Sequence, residues 1–411
     1  METNNILTAR EERIQIINGL TSQFDIVTLK VNMFGSNKCN NFAKSLLGYF
    51  YNQLPLEFKK INHEYIESFD GAYYLFKFPK GTSNLKEKCI ALEDKGLGRL
   101  IDLDVYIDSN KSIRRTNPRK CIICDNEAFY CIRSHAHSYD KLEKRYKDLA
   151  YIYYSKVIFS AIKFSMITEL KLSPKFGCVC YDSNGSHKDL DYHKMVRCAE
   201  ILYPYFIDMF QVGFYEKDNY FTKINKIGRL AEDKMFSSIQ TNCYKGLIYG
   251  LGILLTTCAH YLGSMDTISF DEAMEEVLAD YFIQELDTFG YHAYTKNFLG
   301  IRGEVLSHFK TIKKVYSNID INDNQKIFKT FLDIVYLCDD SVLLKRAGSM
   351  EKYLEYKELI SNASKLNNEE LMKLNQKCID DNISLGGSCD LLVCALFLKY
   401  MENEFCLKEL I

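Results

Sequence analysis

The chain of 411 residues has no tryptophan, only five prolines and a formal net charge of −2. So even a charge balance excludes the global basic field that gathers nucleic acid. The prolines mark no junction; Pro118 and Pro174 sit beside polar motifs, and no repeat or low-complexity tract divides the chain. No Walker A sequence is present, which argues against a P-loop nucleotidase. The opening residues, Met1-Glu2-Thr3-Asn4-Asn5, lack the apolar stretch of a secretory leader. Fifteen cysteines without such a leader are expected as free thiols in a reducing cytoplasm rather than as a disulfide framework. Long apolar runs are scarce as well. The run from Gly246 to Gly263 contains a small-xxx-small pair, Gly246 and Gly250, but also Thr256, Thr257 and His260, with Lys245 before it. A central helix buried within a soluble bundle accounts for it better than a membrane span.

What is present is an ordinary hydrophobic fraction, 47%, with 26 Phe and 29 Tyr. The length is large for one core, so two domains are expected. Residues 1–145 mix element types. Apolar periodicity predicts helices over 7–20 and 40–53, and strands over 25–32, 72–78 and 100–107. From residue 146 to 411 helical periodicity dominates, at 146–170, 191–212, 244–263, 269–284, 303–316, 324–337, 351–363, 367–379 and 388–408. The expected fold class is an N-terminal α+β domain followed by a C-terminal all-α domain.

Within the first part, Gly98-Arg99-Leu100-Ile101-Asp102-Leu103-Asp104-Val105 carries the sharpest signal. Alternation puts Ile101, Leu103, Val105 and Ile107 on one strand face and Asp102, Asp104 and Asp108 on the other. Two carboxylates side by side on a rigid strand suit divalent cations held against a polyphosphate. The same pattern describes a half-buried strand with a solvated acidic face, and spacing alone leaves both readings open. Further on, Arg114, Arg115, Arg119 and Lys120 form a basic run. Cys121, Cys124, Cys131 and His135 are of zinc-ligand types. The second CxxC half is missing and the spacing is short, so a reduced cysteine cluster under a basic loop is the expectation over a structural zinc.

These pieces resemble the citrate lyase holo-acyl-carrier-protein synthase family, the phosphoribosyl-dephospho-coenzyme A transferases. The resemblance also rests on Arg10-Glu11-Glu12-Arg13, Val31-Asn32-Met33-Phe34-Gly35-Ser36-Asn37-Lys38, and Arg119-Lys120-Cys121-Ile122-Ile123-Cys124 with Ala128, Cys131, Arg133 and His137. Met33-Phe34 stands where the family has an apolar-Pro pair. The resemblance implies nucleotidyltransferase-type chemistry: a carrier-protein serine attacks the α-phosphorus of a triphosphoribosyl group and pyrophosphate leaves. Asp102 and Asp104 are then the metal-holding and catalytic acids, with Arg99, Arg114 or Arg115 for the departing pyrophosphate.

The second part carries four polar motifs between its helices. Ser173-Pro174-Lys175-Phe176-Gly177 leads to Ser183-Asn184-Gly185-Ser186-His187-Lys188-Asp189-Leu190-Asp191. Here Ser186 reads as a helix N-cap with Asp189 at the capping-box position. Asn242-Cys243-Tyr244-Lys245-Gly246 opens the apolar helix, Gly300-Ile301-Arg302-Gly303-Glu304 is the third motif, and Gly386-Gly387-Ser388-Cys389-Asp390 opens the last helix. Gly-Gly-Ser before a helix offers backbone N–H groups to an anion. Together the motifs resemble the triphosphoribosyl-dephospho-coenzyme A synthase family. Departures from its pattern are Phe176 for Pro, Cys180 for Asp, Cys243-Tyr244 for Thr-His and Leu385 for Pro.

That family implies a reaction in which ATP and 3′-dephospho-coenzyme A are joined from ribose C1 to the adenosine 2′-hydroxyl, with adenine released and the triphosphate kept. Such chemistry needs cations on the triphosphate, a carboxylate by an oxocarbenium-like ribose and a base for the 2′-hydroxyl. The available acids are Asp189, Asp191, Glu304 and Asp390, with Asp189 and Asp191 as a candidate metal pair. The available cations are Lys175, Lys188, Lys245, Arg302 and Arg346, with Gly386, Gly387 and Ser388 beside them; His187 is a candidate base. The two implied reactions chain. The reading is therefore a magnesium-dependent bifunctional enzyme acting on ATP, 3′-dephospho-coenzyme A and the citrate lyase acyl carrier protein. Its rivals are the same chemistry on a malonate decarboxylase carrier, or a non-catalytic nucleotide-binding protein.

Overall fold

A computed structural model describes residues 2–108, 111–283, 288–407 and 410. The chain divides into two compact units. The first is Met1–Lys156 with Tyr261–Ile268 and Glu404–Lys408; the second is the remainder. Residue 145, the expected boundary, falls inside a long helix, Tyr139–Lys171.

The first unit is built on an antiparallel sheet of β1 (Phe24–Val31), β2 (His63–Ile66), β3 (Tyr73–Pro79) and β4 (Ile101–Tyr106), in the order β2-β3-β1-β4. β2 is the strand that periodicity did not reveal: it is four residues long and nowhere fully buried. The alternation in β4 follows the expected pattern, with Ile101, Leu103 and Val105 buried and Asp102 and Asp104 half-buried on the other face. Register places Lys30 opposite Asp102 and Thr28 opposite Asp104, so these four side chains share that face. Further along the same face the helix Glu2–Leu20 packs Ile17 into a cluster with Ile26, Tyr73, Leu75 and Tyr106. Asn40 caps the helix Asn41–Gln53 by accepting from Ala43 N. Ser45 in that helix bonds the Tyr154 hydroxyl at 2.8 Å and Leu262 O at 3.0 Å, which ties in the segment Tyr261–Ile268.

The second unit is helical. Among its described residues the only β-pairing is an isolated bridge between Cys180 and Ser183. The apolar helix Lys245–Gly263 is its core helix: it is long and apolar enough to cross a membrane, yet 78% of its apolar window is buried in the fold. Gly246 and Gly250 explain how that helix is approached. A Cβ at Gly246 would meet Asp390 Oδ2 at 2.3 Å, and one at Gly250 would meet Ile301 Cδ1 at 2.8 Å. The small-residue pair thus serves internal packing.

Several expectations change here. The helix Tyr220–Ile239 was not expected, because Gly228 interrupts its core stripe of Phe221, Ile224, Ala231 and Met235. The stretch expected as one helix over 303–316 is two, Gly300–Leu306 and Lys310–Val315. His308 and Phe309 adopt left-handed conformations, and Glu304 accepts Thr311 N and Oγ1 at the restart. The helix expected to reach 284 ends at Val277, with residue 284 itself outside the described residues. Ser186 does not cap a helix; its hydroxyl donates to Ile383 O at 2.5 Å, and Asp191 caps the helix Tyr192–Tyr215. Cys198 and Cys243 are joined, and the other cysteines are free thiols.

Candidate functional site

On the sheet, Asp102 and Asp104 are two residues apart on one strand face, about 7 Å along the strand. Gly98 makes the turn into β4 possible, since a Cβ there would strike Leu92 O at 2.1 Å. Arg119 joins the site by bonding Asp102 at 2.9 Å and Ile101 O at 2.6 Å. The buried Glu93 holds Arg119 in turn, and it accepts Leu103 N at 2.6 Å. Desolvation raises the Asp102 carboxyl above its usual range; Arg119 opposes this and Asp104 adds to it.

Lys30 links this pair to a second cluster. Asp70, buried from solvent, accepts from Arg10 at 2.9 Å, from Arg13 at 2.5 Å and from Lys30. Desolvation works against the Asp70 carboxylate, but bonds to Lys30, Arg13 and Arg10 outweigh it and hold the acid below its usual range. Lys30 is pulled down to about 8 by burial and by Arg13. Three cations therefore surround a single carboxylate next to two further acids. A cleft of about 790 Å³ lies alongside, lined by Glu12, Ser36, Asn37, Lys38 and Glu67. The loop at Met33-Phe34 is fixed by aromatic packing, with Phe34 5.2 Å from Tyr146 and 6.0 Å from Tyr139.

In the helical unit a cavity of about 500 Å³ is lined by Arg229, Glu232, Lys245, Gly246, Arg302, Asp339, Gly387 and Asp390, among others. Lys245 pairs with Glu232 at 2.8 Å. Arg302 lies over the Tyr291 ring at 5.3 Å, and its Nη1 is buried with no hydrogen-bond partner. An unpaired buried guanidinium nitrogen is costly unless a ligand completes it. Asp390 stands well above its usual range, through burial and then the nearby Glu169 and Asp340. Tyr244, where the family pattern has His, is buried with its hydroxyl unpartnered and its phenol pushed up by burial.

Residues 156–409 match the family described as ATP:dephospho-CoA triphosphoribosyl transferase. The chain belongs to that family. Residues 1–152 match a second, apo-citrate lyase phosphoribosyl-dephospho-CoA transferase, so the chain is a fusion of two transferases and a bifunctional enzyme. "Protein CitXG" of Haemophilus influenzae is 28% identical over 97% of this chain and 96% of its own length. "Protein CitXG" of Leuconostoc mesenteroides subsp. cremoris is 26% identical over 97% of each. A probable 2-(5''-triphosphoribosyl)-3'-dephosphocoenzyme-A synthase of Lactiplantibacillus plantarum is 28% identical over 59% of this chain and 96% of its own.

In the triphosphoribosyl transferase half, three of the four motifs meet at the cavity: Lys245, Arg302, Gly387 and Asp390 line it. The remaining sequence candidates are placed elsewhere. Lys175 is buried on Glu169, whose charge outweighs burial and raises the amine; it acts on Asp390 through its field. His187 accepts from Arg346 at 3.2 Å and donates to Ser384 Oγ at 3.2 Å. Asp189 is exposed and accepts from Thr241 Oγ1 at 2.7 Å, Asp191 is spent as a helix cap, and Lys188 is exposed. Glu304 is spent on Thr311 and is not among the lining residues. The N–H groups of Gly387 and Ser388 already hold an anion, the Asp340 carboxylate, at 3.2 and 2.7 Å. Gly386 packs on Val342. Cys180 donates to Asp182 at 3.0 Å, so an acid stands in that turn two residues after the departure.

In the phosphoribosyl-dephospho-CoA transferase half, Arg99 bonds Lys120 O at 2.8 Å, Arg115 bonds Asp94 at 2.6 Å, and Arg114 is exposed. Arg10, Arg13, Lys30 and Asp70 had no assigned role from the sequence. Their signals were present: Arg10 and Arg13 share a helix face by i,i+3 spacing, and Lys30 lies on the polar phase of β1. The zinc-type set also changes. His137, not His135, joins Cys121, Cys124 and Cys131. His135 takes a left-handed conformation at a Schellman turn, in which Ala136 N bonds Cys131 O at 3.1 Å and carries His137 back over the cysteines.

Proposed function

We propose that the helical unit makes 2′-(5″-triphosphoribosyl)-3′-dephospho-coenzyme A from ATP and 3′-dephospho-coenzyme A, releasing adenine. The sheet unit then transfers the phosphoribosyl-dephospho-coenzyme A moiety to a serine of the citrate lyase acyl carrier protein, releasing pyrophosphate. The observation that carries this reading is the cavity in which Lys245, Arg302 and the buried acid Asp390 meet, with Arg302 Nη1 unpartnered.

Lys245, Arg229 and Arg302 bind the triphosphate. Asp390, whose carboxyl burial pushes upward, gives a proton to the departing adenine as the C1–N bond breaks. Asp339 takes the proton of the 2′-hydroxyl that bonds to C1. Arg346 and Ser384 fix the His187 ring, and the imidazole positions this wall from outside the lining.

In the sheet unit, Asp102 and Asp104 would hold magnesium, which supplies charge neutralisation at the triphosphate when bound. Their donor set fits: two carboxylates on one face, and a neighbouring cation network from Lys30 and Arg119 to complete the phosphate contacts. Arg10, Arg13 and Lys30 orient the leaving pyrophosphate, and Arg119 orients Asp102. Apart from the joined pair Cys198 and Cys243 the cysteines are free thiols, which with the substrate set favours a reducing cytoplasm.

The test is mass spectrometry of apo carrier protein incubated with the enzyme, magnesium, ATP and 3′-dephospho-coenzyme A, with adenine followed chromatographically. The expected result is stoichiometric adenine release and a carrier heavier by one phosphoribosyl-dephospho-coenzyme A group. A parallel arm with a malonate decarboxylase carrier is expected to stay unmodified. Neither adenine nor modified carrier appearing would overturn the reading.

A further inference from the structure

Between Tyr106 and Tyr146 the only described side chain that belongs to the hydrophobic core is Cys131. The six-residue helix Ala128–Arg133 in this segment exposes Phe129, Tyr130 and Ile132, each more than half. A segment of this length has no apolar reason to hold one conformation. Yet it delivers Arg119 to Asp102 and to Ile101 O.

Four soft or borderline ligands converge there. Cys121 Sγ is 3.3 Å from His137 Nε2, Cys124 Sγ is 3.5 Å from the same nitrogen, and Cys124 Sγ is 3.5 Å from Cys131 Sγ. All four ligand atoms lie within 4.8 Å of one another. Tetrahedral zinc with ordinary bond lengths separates sulfurs by about 3.8 Å and sulfur from imidazole nitrogen by about 3.5 Å. The surroundings match a thiolate centre. Ile123 N donates to Cys121 Sγ at 3.4 Å, and the CxxC sits in a tight hairpin closed by Cys121 N to Asn126 O at 2.7 Å. Arg99 grips Lys120 O and Arg145 grips Ile122 O at 3.1 Å, placing cations beside a centre that three thiolates and one zinc leave at net negative charge.

We infer that Cys121, Cys124, Cys131 and His137 form a closed Cys₃His structural zinc site that fixes the hairpin from which Arg119 reaches Asp102. The metal site stands on this geometry alone; only the role given to Arg119 rests on the transfer reaction proposed above.

The test uses the full chain. Metal analysis after purification from zinc-supplemented medium is expected to give about one zinc per chain, and cobalt exchange to give the thiolate charge-transfer and red ligand-field bands of a tetrahedral site. His137→Ala and Cys124→Ser are expected to lose the metal, with affinity falling by at least about tenfold, whereas His135→Ala keeps it. If the ligand variants do not fold, a mercurial titration of the wild-type chain decides, with zinc released in step with thiol modification. Chelation is expected to open residues 114–137 to proteolysis while adenine release in the helical unit continues. No stoichiometric zinc together with no cobalt bands, or loss of metal in His135→Ala but not in His137→Ala, overturns the site. A carrier-transfer failure with zinc still bound counts against the transfer reading instead.

Discussion

The half-buried pair Asp102 and Asp104 shows how much one position can carry. Asp102 is committed to Arg119, whereas Asp104 faces Thr28 across the strands. Asp104→Asn keeps shape and removes charge. It is expected to slow carrier modification by about a hundredfold or more, the scale of a lost electrostatic contact at a phosphoryl centre. Mass spectrometry of the carrier reads this, and adenine release by the same variant should be unchanged. In the other unit Arg302 presents a planar fork that lysine does not reproduce. Arg302→Lys is therefore expected to behave like Arg302→Ala, with adenine release down by about tenfold or more, read from the initial rate at saturating 3′-dephospho-coenzyme A. His187 gives a pH signature. Burial and Arg346 push its imidazole down to about 4 from the ordinary 6.5. Between those values the unfolded chain binds the extra proton, so the stability His187 contributes is complete above about 6.5 and is lost as pH falls through about 4. His187→Gln should flatten the fall in urea midpoint across that window.

At the scale of elements, the Gly-Gly-Ser turn shows why sequence and structure part ways. A glycine-rich helix start raised the expectation of a bound ligand anion, but its N–H groups go to the carboxyl of Asp340, distant in sequence and also the cap of the helix Ser341–Ala347. No local pattern announces that pairing. Asp340→Ala removes a cap and leaves buried N–H groups without an acceptor. It is expected to cost about 3 kcal/mol, measured by denaturant unfolding, with adenine release falling because Asp390 lies on the same helix. Periodicity read β1, β3, β4 and the long helices, where one face is buried and the other is not. It failed where the buried stripe is interrupted, as at Gly228, or where a side chain resets the backbone, as at Glu304 and Thr311. The acids of the site divide in the same way. Asp102 keeps the strand face that alternation gave it and Asp390 lines the cavity, whereas Asp191 and Glu304 are spent on helix termini, which sequence spacing does not distinguish from catalysis.

At the scale of the whole molecule, the groups proposed for the two chemistries form separate sets. The residues lining the helical cavity all belong to the second unit, and Asp102, Asp104, Lys30 and Arg119 all belong to the first. A chain with Asp104→Asn should therefore make the triphosphoribosyl intermediate much faster than it spends it, and one with Arg302→Ala should be limited by making it while keeping the means to spend it. The intermediate is a triphosphate with a large negative charge, free to diffuse in water. Mixing the two variants with ATP, 3′-dephospho-coenzyme A and apo carrier is thus expected to raise carrier modification well above the sum of what the two variants achieve alone. The added rate should rise with enzyme concentration, because the intermediate must be captured by a different molecule. Mass spectrometry of the carrier over time measures this. No gain in the mixture over that sum, with each variant active in its own half-reaction, would mean that product passes only within one chain.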